Sequence, residues 1–272
     1  MKLWKRLVLV ACVLLALCAA ATLRTHRSPR GQLFHAPPPP RRPAVPAGAL
    51  IELRPGGARG AAGVPVVAVH YPAPAGAPTL VCFHGDAEQL ADLVDAFAAF
   101  RAAGLGVYAV EYPGYGLNAG SPSEAAFYAT AQAALAHLRD PLGVPPGRTI
   151  LVGRALGASV AVEMAARGLG AGLVLLSPCT SLPDVAARGL GRDRFDAAAR
   201  APGVTQPVLI LHGTDDEVFP AAMARRLGAL FPHATTVLVP GAHHGDLFAG
   251  RGPELVARIA AFARANANAT AP

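Results

Sequence analysis

Beyond residue 64 the chain alternates short apolar runs with longer helix-forming segments, and that alternation leaves few folds open. Val64–His70, Thr79–Phe83, Gly106–Glu111, Thr149–Val152, Leu173–Leu176, Val208–Leu211 and Thr235–Val239 read as strands. Asp92–Ala103, Ser123–Arg139, Leu156–Arg167, Ala221–Leu230 and Pro253–Ala265 read as helices, and Leu182–Arg200 as a polar helical segment. Near-continuous apolar strands are buried on both faces, and strands separated by helices pair in parallel. The expectation is an α/β fold with a mostly parallel, doubly wound sheet flanked by helices. In such sheets, sites form at the carboxyl ends of the strands.

The N-terminal part has a different character. Met1–Arg6 is short and basic, and Leu7–Leu23 is an uninterrupted, mostly apolar run ending near Ala19-Ala20-Ala21, a small-residue cleavage site. This pattern predicts a signal peptide or an uncleaved N-terminal membrane anchor over residues 1–23. In either case the domain lies outside the cytoplasm, secreted or periplasmic after cleavage and otherwise membrane-attached. Residues 24–49 follow as a Pro/Arg-rich linker containing Pro37-Pro38-Pro39-Pro40, a semi-rigid spacer. The folded domain is expected over residues 50–267, with a flexible tail at 268–272.

Net charge is +7, but residues 1–46 carry eight basic residues and no acidic one. That leaves 16 basic against 17 acidic residues in the rest, a net of about −1. The basic character belongs to the leader and linker, so no nucleic-acid partner is expected. Two of the four cysteines, Cys12 and Cys18, lie in the leader. Cys82 and Cys179 end strands about two strand spacings apart, too far for a disulfide. No Cys/His spacing suggests a metal, and no cofactor is implied.

The chemistry concentrates at four strand ends. Thr149-Ile150-Leu151-Val152-Gly153-Arg154-Ala155-Leu156-Gly157-Ala158-Ser159 is a strand, a Gly-flanked turn and a helix, the layout of a G-x-S-x-G nucleophile elbow with alanine at its centre. A methyl group neither attacks a carbonyl nor hands a proton to a histidine. Val81-Cys82-Phe83-His84-Gly85-Asp86 ends one strand in His-Gly, and Glu111-Tyr112-Pro113-Gly114-Tyr115-Gly116 ends another in an aromatic-Gly turn. His212-Gly213-Thr214-Asp215-Asp216 and Pro240-Gly241-Ala242-His243-His244 follow the last two strands.

In that order the four motifs resemble the α/β-hydrolase superfamily, in a compact branch without an elaborate lid, over roughly residues 50–265. The resemblance implies the α/β-hydrolase fold with Leu182–Arg200 as a short cover. It implies Asp216 as the triad acid, His244 as the triad histidine, and the backbone N–H groups of Asp86 and Leu156 as the oxyanion hole. Asp215 is then free to cap the next helix. Arg154 is either a guide for an anionic ligand or a structural turn residue. Ala155 at the nucleophile position excludes ordinary Ser-His-Asp catalysis, and Asp86 stands where the family often has asparagine. The function implied is that of a catalytically impaired relative of an extracytoplasmic ester or thioester hydrolase, binding a small acyl- or ester-type ligand or a protein partner. The alternative is an active hydrolase using Cys179 as nucleophile or a water activated by His244. Ser159, one helical turn beyond Ala155, is expected to pack inside.

Overall fold

The computed structural model describes residues 39–56, 63–185, 192–248 and 250–267. Eight strands form one sheet: β1 (Leu50–Leu53), β2 (Val66–Tyr71), β3 (Thr79–Phe83), β4 (Gly106–Val110), β5 (Thr149–Arg154), β6 (Gly172–Leu176), β7 (Val208–Gly213) and β8 (Ala234–Val239). Their order is β1-β2-β4-β3-β5-β6-β7-β8. β1–β2 and β2–β4 pair antiparallel, and every pairing from β4 onward is parallel. β3, β4, β5, β6 and β7 are buried along their whole length apart from the half-buried Arg154, which explains their unbroken apolar runs.

Among the described residues, five helices of eight residues or more cover the sheet: α1 (Val94–Ala102), α2 (Glu124–Arg139), α3 (Leu156–Ala166), α4 (Ala221–Leu230) and α5 (Gly252–Asn266). Alternate strand residues feed two cores. Val81, Tyr108, Leu151, Leu173 and Ile210 pack toward α2, α3 and α4, while Cys82, Val107, Val152, Val174 and Leu209 pack toward α1 and α5. The start of α2 is set by Ser123, whose Oγ accepts the Ala126 N–H at 3.2 Å.

Three features depart from the sequence reading. β1 was not anticipated: Leu50–Leu53 is four residues long and gains its ladder only from β2, with Leu50 opposite Val69. Residues 182–200 are not one helix. They contain single turns at Leu182–Val185 and Ala197–Arg200, with 186–191 outside the described residues. The Glu124 carboxylate takes the backbone N–H groups of Arg194 and Phe195, and Phe195 is buried at φ +43°, so no helical ladder runs through them. Finally, the last part of the linker lies on the domain. The Arg41 N–H donates to Gln89 Oε1 at 2.8 Å, its guanidinium pairs with Asp92, and Pro43 is buried.

No helix among the described residues is long and apolar enough to cross a membrane. The apolar run Leu7–Leu23 and the tail 268–272 lie outside those residues.

Candidate functional site

Ala155 occupies a sharp turn with positive φ. It sits at φ +48°, ψ −117°, between the end of β5 and the first residue of α3. Few non-glycine residues hold such backbone, and each does so at a cost of about 1–3 kcal/mol. The flanking glycines make the turn possible. A Cβ on Gly153 would lie 2.4 Å from the Gly157 carbonyl oxygen, and one on Gly157 2.2 Å from that of Phe83. Local sequence thus maintains a strained elbow whose usual purpose is to present a nucleophile.

Around the turn stand the parts expected to serve it. Leu156 is N1 of α3, so its N–H has no partner within the helix and points out of the N-terminus. The His-Gly loop passes directly over the elbow, since a Cβ on Gly85 would approach the Ala155 Cβ to 3.3 Å. Asp86 follows in that loop, and its charge is felt at Tyr115, Arg154 and Cys179.

The acid and the histidine meet across 28 residues of sequence. His244 Nδ1 lies 2.9 Å from Asp216 Oδ2. The Asp216 side chain is fully buried, and its Oδ1 accepts the N–H groups of Val218 and Phe219 at 3.0 and 2.7 Å. With the aspartate accepting at Nδ1, the proton of a neutral His244 is held there and Nε2 is the free base. The Phe219 ring meets the His244 imidazole edge-on, 4.9 Å between centroids. Asp215 does not cap α4, whose N-cap is Pro220; its carboxylate accepts the Thr214 hydroxyl instead. The neighbouring His243 is exposed and pairs with Glu217 at 3.1 Å.

Burial, the largest single influence on Asp216, raises its pKa. Hydrogen bonds from His244 and the Phe219 N–H, with the nearby His244 and His212 rings, outweigh it and hold the carboxyl below its ordinary 3.8. A depressed folded value contributes stability that is complete above 3.8 and is lost as pH falls through the folded value. Thermal denaturation against pH is therefore expected to show a shallower acid-side decline for Asp216→Asn than for the natural chain. An unchanged decline would mean that this carboxylate is not held as described.

Cys179 and Ala155 share a small apolar cluster with Phe219, with Val185 and Met223 packed against it. Burial pushes the Cys179 thiol up to about 12, so it is protonated at neutral pH, and this argues against it as a replacement nucleophile. Ser159 is buried, as its position in the helix implies. Tyr112 and Tyr115 are also fully buried: Tyr112 stacks on Phe127 at 3.7 Å, and both pack against His84. The aromatic-Gly turn is therefore a support for the site.

Two further groups have partners that the sequence did not announce. Arg154, one residue before the elbow, pairs with Glu88 and donates to the His244 carbonyl at 3.1 Å; Glu88 in turn accepts the Gly85 N–H at 2.9 Å. The arginine thus straps the His-Gly loop to the histidine loop and is not a free anion guide. Nothing in the spacing of Glu88 announces this, because its partner is 66 residues away. His212 places Nε2 2.7 Å from the Phe219 carbonyl and 3.3 Å from Asp216 Oδ2, a second imidazole on the acid. His212 stands at the end of β7 four residues before Asp216, so its motif was legible even though its role was not.

Because Arg154 and Glu88 are both mostly buried, removing one strands the other. Arg154→Ala is expected to cost about 2 kcal/mol, and distinctly less in a Glu88→Gln background. A double-mutant cycle by chemical denaturation checks this, and equal costs in both backgrounds would dissolve the strap.

The sheet and its flanking helices define an α/β-hydrolase-fold protein, which carries an Asp216–His244 contact and an alanine at the strained turn after β5. The sequence profile of the alpha/beta hydrolase family matches residues 80–204, and that of the alpha/beta hydrolase fold matches residues 180–250. Both matches, with the mostly parallel eight-stranded sheet, give the chain the α/β-hydrolase fold and a likeness to that family over residues 80–250. It is 37% identical over 186 residues to an uncharacterized protein of Mycobacterium tuberculosis, covering 65% of this chain and 66% of that one. It is 34% identical over 186 residues to human alpha/beta hydrolase domain-containing protein 17C, covering 64% of this chain and 55% of that one. The chain therefore spans between about half and two thirds of the length of these relatives. Among solved structures, an esterase of Pyrococcus furiosus superposes with a TM-score of 0.71 at 15% identity, covering 86% of this chain and 98% of that one, which is a likeness of fold.

Proposed function

We propose that the protein is a catalytically impaired serine-hydrolase relative, whose retained site binds an acyl- or ester-type ligand without turning it over through position 155. The observation that carries this reading is the conjunction of an intact His244–Asp216 pair with alanine at the strained φ of the elbow. The strain, the glycine approaches and the helix N-terminus suit a nucleophile and an oxyanion, while the methyl group supplies neither attack nor proton transfer. The pattern of the leader supports a place for this domain outside the cytoplasm.

A fluorophosphonate probe tests the reading, since it labels a serine only when a triad activates it. The natural chain is expected to remain unlabelled and Ala155→Ser to be labelled. Labelling of the natural chain that disappears in Cys179→Ala would instead locate the nucleophile at the thiol. A restored serine that stays unlabelled would mean that the elbow, acid and histidine do not form a prepared triad.

A further inference from the structure

On the opposite side of the elbow strand from the Ala155 cluster lies a cavity of about 350 Å³ between α1, the ends of β3, β5 and β6, and the loop after His244. Its walls are apolar: Phe97 and Phe100 from α1, Val152 and Leu176 from the sheet, Leu247 and Phe248 from the loop. The polar lining is confined to a few groups. Glu88 and Arg154 are already paired with each other, His84 is turned to Glu111 and to the Gly85 carbonyl, and the exposed Asp246 caps its own loop by accepting the His243 N–H.

Size decides what kind of occupant fits. At about 30 Å³ per small group, the space holds on the order of ten methylene-sized groups. Charge decides the head group. Glu88 and Asp246 bring two carboxylates against the single guanidinium of Arg154, which is engaged by Glu88 and the His244 carbonyl. An incoming carboxylate meets surplus negative charge and an occupied arginine, whereas a hydroxyl or ester meets no such repulsion.

We propose that this cavity binds a neutral molecule carrying one medium-length alkyl chain, an alcohol or an ester, at a site that adjoins the elbow at Arg154 but lies on the other face of its strand. The proposal stands independently of the impaired-hydrolase reading, because binding is read on the natural chain without restoring the serine. The test uses the full chain and the neutral fluorophore 1-aminoanthracene. Emission is expected to rise on binding and to fall on addition of 1-decanol, while sodium decanoate at pH 8 competes about ten-fold more weakly. Ala96 lines the cavity from an exposed position on α1, so Ala96→Trp blocks the space without a cost to the core. This variant should weaken the fluorophore about ten-fold at an unchanged thermal midpoint, and Met223→Trp on the elbow side should change it less than about two-fold. Absence of decanol-sensitive emission, decanoate competing as well as decanol, or Ala96→Trp binding like the natural chain would each overturn the proposal.

Discussion

Ala155→Ser is expected to raise p-nitrophenyl butyrate hydrolysis at least about a thousand-fold above the natural chain. The argument is one of non-additivity. Triad members act as a unit, so deleting the serine alone costs about as much as deleting the whole triad, about a million-fold, and leaves the surrounding preorganisation idle. Here that preorganisation is in place: the backbone at 155 already holds the positive φ of an elbow, and the Asp216–His244 contact is 2.9 Å. A hydroxyl is only one atom larger than the hydrogen it replaces, so the substitution needs little adjustment of the turn. The gain is expected to fall short of the full million-fold because Asp86 puts a carboxylate beside the loop that must stabilise an oxyanion. Steady-state kinetics on the natural chain, Ala155→Ser and Ala155→Ser/His244→Ala measure it. Activity that survives loss of His244, or no gain on restoring the serine, would refute the site as described.

Gly157→Ala carries the largest expected effect on stability. Its Cβ would come within 2.2 Å of the Phe83 carbonyl oxygen and 2.4 Å of that of His84. Both are backbone atoms at the end of β3, so no side chain can swing aside, and α3 must move off the sheet. The expected loss is about 3 kcal/mol, or roughly 6–12 °C in thermal midpoint for a domain of this size. Gly168→Ala is the comparison: that glycine lies at φ +78° with nothing within 4 Å of a Cβ, and only the backbone cost of about 1 kcal/mol applies. Thermal denaturation followed by circular dichroism separates the two. Equal losses would show that the helix does not approach β3 as closely as the structure has it.

Much of the fold was legible because its signals are local. Thr79–Phe83 and Ala221–Leu230 occur as read, and β5, β6, β7 and β8 differ from their predicted spans only by one or two residues at an end. Each of these segments declares itself by an apolar run or by 3.6-residue periodicity bounded by Gly or Pro. β1 could not be read because four residues give too short a pattern, and its pairing comes from β2. The segment 182–200 misled because its composition suits a helix, while Glu124, some seventy residues earlier, takes the N–H groups that such a helix needs. Tertiary context overrode propensity there.

The Gly-flanked turn around Ala155 and the motifs that carry Asp216 and His244 could be picked out from sequence alone, since each is a short motif tied to one turn. Only the tertiary structure decided what surrounds them. It buried Cys179 beside Ala155 and so raised its thiol, it set His212 against Asp216, and it strapped His244 to the His-Gly loop through Arg154 and Glu88. The reason is physical. A turn is specified by the dihedral preferences of adjacent residues, whereas burial, charge and hydrogen bonding depend on distances in space between residues that the sheet brings together from far apart in the chain.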